Sequence, residues 1–123
     1  MKQIYTEGAP KAVGPYSQAI QVGDFLFASG QIGVDPATGE IGKDLQTQAR
    51  LVMENISHIL EAAGAGIENV VKTTCFLDDI KDFAEFNAIY AEYFTHKPAR
   101  SCVAVEALPL GVLCEVEVIA YLK

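Results

Sequence analysis

The chain holds only two arginines, Arg50 and Arg100. Arg100 stands at the start of the apolar run in "ARSCVAV". A guanidinium at the mouth of a buried strand suits one chemistry well. Its planar, weakly hydrated fork makes two parallel hydrogen bonds to a carboxylate and works while partly buried. That points to a small carboxylic acid as ligand. A second charge interrupts an apolar pattern near the C-terminus. In "LCEVEVIAYL" one strand face carries Cys114, Val116, Val118 and Ala120, and the other carries Leu113, Glu115, Glu117, Ile119 and Tyr121. Glu117 reads as a charge on an exposed edge strand. Glu115 reads as an acid–base group, with Arg100 as its counter-charge on the neighbouring strand. As a purely structural pair, the same two residues form a salt bridge.

Two short stretches add to this. In "GPYS" (14–17) Gly14-Pro15 makes a bend, and Tyr16 is placed to line an apolar pocket with its hydroxyl free for a ligand. In "ASGQ" (28–31) Gly30, at a strand end, lets a backbone carbonyl come close to a ligand. Other chemistries lack their residues. His58 and His96 lie in helical surroundings with no metal-ligand spacing around them, so no metal site is expected. There is no P-loop, no G-x-S-x-G and no G-x-G-x-x-G. The three cysteines, Cys75, Cys102 and Cys114, are odd in number and widely spaced, each in an apolar run. They read as buried thiols in a reducing compartment, the cytoplasm.

The net charge of −7 repels phosphate backbones and anionic lipid heads, so neither a nucleic acid nor a membrane partner is expected. No stretch reaches the ~18 apolar residues of a membrane span. The N-terminal "MKQIYTEGAPKAVGPYS" has no apolar h-region and does not read as a signal peptide.

The elements that must carry these residues follow from periodicity. "SQAIQVGDFLFASG" (17–30) breaks at Gly23-Asp24 and predicts a β-hairpin. "VDPATGEIG" (34–42) is a loop. Asp44 is the N-cap of a helix whose stripe is Leu45, Ala49, Val52, Met53, Ile56, Leu60 and Ala63, closed by Gly64. "NVVKTTCFLDD" (69–79) is a strand. Asp82 caps a second helix whose stripe is Phe83, Phe86, Ile89 or Tyr90, and Tyr93 or Phe94, and Lys97-Pro98 ends it. Strands at 100–107 and 113–122 follow, joined by "LPLG". The order predicts one α+β domain over residues 1–123, a mixed β-sheet with two helices packed on one face. The uncovered sheet face and the mean hydropathy of +0.21 predict a homo-oligomer.

Six stretches, "GPYSQA", "ASGQI", "VVKTTCFLDD", "FAEFNAIYAEYF", "PARSCV" and "EVEVIAYLK", occur in order along nearly the whole chain. By these the sequence resembles the Rid family, the reactive-intermediate or 2-iminobutanoate/2-iminopropanoate deaminases. The resemblance implies a chorismate-mutase-like α+β subunit and a homotrimer with its active sites at the subunit clefts. It also implies hydrolysis of enamine/imine acids to 2-keto acids and ammonia, without a cofactor. On it, Arg100 holds the substrate carboxylate and Glu115 orients the water. The Cys102 backbone and the Gly30 carbonyl bind near the carboxylate and the imine nitrogen. Tyr16 packs on the substrate, and Ser29 and Asn87 line the site. The chain departs from the family pattern at Gly33, at Ala104 and in "VEALPLG", changes that bear on substrate range. The same Arg pocket also suits a non-catalytic trimeric regulatory module that binds small carboxylates. Chorismate mutase would need more cations than one pocket arginine to match a dicarboxylate. An RNA-acting role is opposed by the charge.

Overall fold

The computed structural model describes residues 1–123. Six strands and two helices follow the predicted periodicities closely: β1 (Lys2–Ile4), β2 (Ala19–Val22), β3 (Phe25–Ile32), α1 (Leu45–Ala62), β4 (Val70–Leu77), α2 (Phe83–Tyr93), β5 (Ala99–Ala104) and β6 (Cys114–Tyr121). β1 is the one strand the sequence reading missed, because three residues are too few to show a period. β2 and β3 form the expected hairpin, with Gly23 at φ 56 in a left-handed conformation that side chains disfavour. The Asp44 carboxylate accepts from the Thr47 N–H at 2.8 Å and caps α1. The expectation that Asp82 caps α2 is corrected. Asp82 already has helical dihedrals and makes no side-chain cap bond. The cap has moved upstream to Asp79, which accepts from the Lys81 N–H of a short 3-10 turn at Ile80–Asp82.

The strands form one mixed sheet in the order β1-β2-β3-β6-β4-β5. β4 and β5 are parallel, and every other pair is antiparallel. The chain travels from β3 across α1 to β4, then across α2 to β5, always in the same direction along the sheet. Two crossovers of one hand, taken in one direction, put both helices on the same face. β6 then returns into the gap between β3 and β4. It is therefore a central strand, and the edge-strand reading of Glu117 does not hold. β5 and β6 are consecutive in sequence but do not pair with each other.

Between the sheet and the helices lies a single core. α1 contributes Leu45, Ala49, Val52, Met53, Ile56, Ile59 and Leu60, α2 contributes Phe86, Ile89 and Tyr90, and Phe94 follows just after α2. Leu26, Cys75, Leu77 and the face Cys114, Val116, Val118, Ala120 meet them from the sheet. The opposite sheet face has no layer over it. Phe25, Phe27 and Tyr121 stand there at 43%, 46% and 40% exposure, and Phe25 stacks against Tyr121 with ring centroids 5.2 Å apart. An apolar sheet face of this kind calls for cover. No helix is long and apolar enough to cross a membrane.

Candidate active site

Arg100 lies on the helix side of the sheet. Its register partner on β4 is Thr73, whose hydroxyl is within 2.7 Å of the Tyr90 hydroxyl on α2. The guanidinium rests over the Tyr90 ring, 4.7 Å from its centroid, and beside Phe83 at 5.6 Å. Its Nη1 donates to Asn87 Oδ1 at 2.6 Å. Cation–π stacking and one side-chain acceptor thus fix the plane of the fork. The chain's three ion pairs are Arg50–Glu92, Lys81–Asp79 and Lys123–Asp24, so no carboxylate pairs with Arg100. A hollow lined by Asn87, Tyr90, Phe94, Lys97 and Pro98 opens at this guanidinium.

Cys102 is the next residue of β5 on this side and stands opposite Cys75. Burial pushes the Cys75 thiol up to about 12 and raises that of Cys102 as well. Both are neutral thiols at physiological pH, poorly suited to nucleophilic attack. β5 is the last strand of the sheet, so alternate backbone groups along its outer edge have no strand partner.

Glu115 lies on the open side. It pairs across β6 with Ile32 of β3 and Phe76 of β4. β3 carries a bulge between Ala28 and Gln31, and Ser29 and Gly30 occupy the place opposite Glu117. The Glu115 carboxyl group folds over Gly30. A Cβ built on Gly30 would collide with Glu115 Oε2 and lie 2.9 Å from Cδ. Only glycine leaves this acid its position. Burial raises the Glu115 carboxyl above the usual carboxylate range, and Glu117 on the same strand face raises it further. The nearest cation on an adjoining strand, Lys72, stands opposite Ile119, beyond Glu117.

Ser29 and Tyr16 join this second group. The Ser29 hydroxyl donates to the Ser17 carbonyl at 2.6 Å, and the Ser29 N–H donates to the Gln18 carbonyl at 2.9 Å. Ser29 is therefore a fastener between the bulge and the segment carrying Tyr16. Tyr16 and Gly30 border one cavity, with Tyr16 half exposed.

The expectation that Arg100 and Glu115 sit on neighbouring strands is corrected. β4 lies between their strands, and their side chains leave opposite faces of the sheet. The seven expected positions fall into two groups. Arg100, Cys102 and Asn87 gather at the β5 edge, and Tyr16, Ser29, Gly30 and Glu115 at the β3–β6 seam. No group of three or more His, Cys, Asp or Glu side chains is arranged to hold a metal ion.

The sequence reading missed three buried amides that position these groups. Gln18 accepts from the Thr6 N–H and donates to the Thr6, Ala9 and Pro10 carbonyls, and so ties down the segment leading to Tyr16. Asn55 donates to the carbonyls of Ile32 and Val34 at the end of β3. Gln48 donates to the Gly42 carbonyl and accepts from the Leu113 N–H, just before β6. The signal that marks them is a polar amide on an otherwise apolar face, since such a group is buried only with partners.

The sequence profile of the Endoribonuclease L-PSP family matches residues 6–122. A RutC family protein of Pyrococcus horikoshii is 58% identical over 120 residues, covering 96% of this chain and 95% of the relative. The 2-iminobutanoate/2-iminopropanoate deaminase of Salmonella typhimurium is 49% identical over 123 residues, covering 97% and 96%. Among solved structures, Escherichia coli TdcF with bound serine superposes with a TM-score of 0.95 at 46% identity, covering 98% of each chain.

Proposed function

The chain belongs to the Endoribonuclease L-PSP family, the Rid family its motifs resemble, and from that membership we propose that it hydrolyses 2-imino acids to 2-keto acids and ammonia. One observation carries the reading. Arg100 is a half-buried guanidinium, aligned by Asn87 and Tyr90, with no acid in its own subunit to pair with. A charge held in that way is costly until an anion completes it. The carboxylate of an imino acid is such an anion. The relative named as a deaminase and the relative holding serine support a small amino-acid-derived ligand.

The two groups meet only if they come from different copies. Each subunit presents Arg100 at its β5 edge to one neighbour and Glu115 on its open face to another. That head-to-tail contact closes as a ring, and the family resemblance makes the ring a trimer. The exposed Phe25, Phe27 and Tyr121 favour the same contact, since it covers them. Three free cysteines are in keeping with a cytoplasmic setting.

In the assembled cleft Arg100 grips the substrate carboxylate, and the β5 edge at Cys102 adds a backbone contact. This fixes the C=N carbon near Glu115. The protonated imine is already electrophilic. Glu115 takes a proton from water as its oxygen bonds to the imine carbon, which gives a carbinolamine. Glu115 then returns that proton to nitrogen, and the C–N bond breaks. The hydroxyl proton leaves as the C=O bond forms, and ammonia departs. The Gly30 carbonyl accepts from the imine nitrogen, and Tyr16 covers the substrate.

The test is a coupled assay. A pyridoxal-phosphate dehydratase acting on threonine or serine supplies the imine, and keto-acid release is timed with and without the protein. No acceleration would refute the assignment and favour a carboxylate-binding regulatory module. Two further outcomes are expected in this assay. Gly30→Ala displaces the Glu115 carboxyl and lowers kcat by about 10²-fold, and an unchanged kcat would show that the placement is unimportant. In the pH profile of kcat/KM, the base form of Glu115 is required. Its raised proton affinity puts the acidic limb above the usual carboxylate range, with activity lost as pH falls through it. Glu117→Gln removes a neighbouring negative charge, so the limb moves to lower pH. A limb that stays in place would exclude this coupling.

A further inference from the structure

The cleft beside Glu115 is larger than a short imino acid requires. A cavity of about 400 Å³ opens between the segment 10–18, the β3 bulge, the loop 34–41 and Leu110. Tyr16 and Gly30 both line it, and the proposed imine site uses both. Beyond them the wall is mainly apolar, with Val13, Ile32, Val34, Ile41 and Leu110 as its apolar side chains. Lys11, Gln18, Gln31 and Asp35 also line it, and two of these four are engaged within the chain. The Gln18 amide is spent on Thr6, Ala9 and Pro10, and Asp35 Oδ1 accepts from the Ala37 N–H at 2.9 Å. 2-Iminopropanoate has six non-hydrogen atoms. At roughly the 30 Å³ that one water takes in the liquid, it occupies about 180 Å³. More than half of the hollow in the single chain is then left over, and apolar lining is what an apolar substituent selects.

Leu110 is the unusual part of that wall. It adopts φ 59 and ψ 15, a left-handed conformation unfavourable for leucine, and Gly111 follows at φ 69. Its side chain is 73% exposed, so core packing does not account for it. A strained, exposed, branched apolar residue over an apolar hollow is a surface offered to something else. We propose that this cavity is the side-chain subsite of the imine site and that Leu110 sets its preference. The enzyme then acts on 2-imino acids with branched or aromatic apolar side chains in preference to the three-carbon imine. The inference rests on the deaminase reading above and names the substrate class that reading leaves open.

An L-amino-acid oxidase with catalase supplies the imines of alanine, leucine and phenylalanine, and keto-acid release in competition with semicarbazide measures kcat/KM for each. The leucine-to-alanine ratio exceeds one in the wild type. It falls about tenfold in Leu110→Asn, which keeps the left-handed backbone but replaces the apolar surface. Leu110 is outside the core, so the variant folds, and circular dichroism checks this. A wild-type ratio below one, or a ratio unmoved by Leu110→Asn, overturns the subsite. Turnover of the alanine imine alone overturns the subsite and leaves the deaminase reading standing. Turnover of no imine overturns both.

Discussion

Replacing Arg100 with Ala is expected to lower kcat/KM for imine hydrolysis by about 10²–10³, to the level of the uncatalysed reaction. The loss is large because the fork is the one oriented cation of the site, and nothing nearby replaces it. Lys97 borders the same hollow, but it is exposed, and a flexible ammonium lacks the paired geometry. Imine hydrolysis is quick without help, so the proposed activity rests on a few kcal/mol of binding and orientation. The fold survives the change. Phe86 and Phe94 beneath Tyr90 are fully buried and do not depend on the guanidinium. Thermal unfolding separates the outcomes: a Tm within a few degrees of wild type with background turnover supports the role. Full turnover in the assay would end the assignment.

Glu115→Gln is expected to cost about 10²–10⁴ in kcat while keto-acid binding persists, since Arg100 still receives the carboxylate. Calorimetry with 2-oxobutanoate measures the binding, and its loss would make Glu115 a structural residue. The more searching experiment mixes this variant with Arg100→Ala, each inactive alone, by unfolding and refolding them together. In a head-to-tail ring, one cleft takes Arg100 from one copy and Glu115 from the next. Random mixing in equal amounts leaves about a quarter of the clefts with both native groups, so about a quarter of wild-type activity returns. A site built within one subunit would regain nothing. The physical basis is the sheet itself: β4 separates the two strands, and the two side chains leave opposite faces.

Family and element order were legible in the sequence, because each depends on local pattern. The stripe Leu45, Ala49, Val52, Met53, Ile56 and Leu60 is the buried face of α1. The alternation of Cys114, Val116, Val118 and Ala120 against Glu115 and Glu117 places the acids on the face away from the helices. An arginine at the start of β5 pointed to an anion as ligand from its residue type alone, and the structure leaves its guanidinium without an acidic partner in the chain. The buried amides were harder to see. Gln18, Gln48 and Asn55 each interrupt an apolar pattern, yet their partners lie 6 to 65 residues away and give no spacing to read.

What only the tertiary structure decided is which face each charge occupies relative to the other. Periodicity assigns a side chain to a face of its own strand and says nothing about strand order. The final strand inserted between β3 and β4 rather than beside β5, since a return strand there completes the hydrogen bonding of both neighbours and buries its apolar face under α1. That long-range choice put Arg100 and Glu115 on opposite sides of one sheet. It separated an expected pair into two groups on opposite faces, which is why the proposed site draws on two copies of the chain.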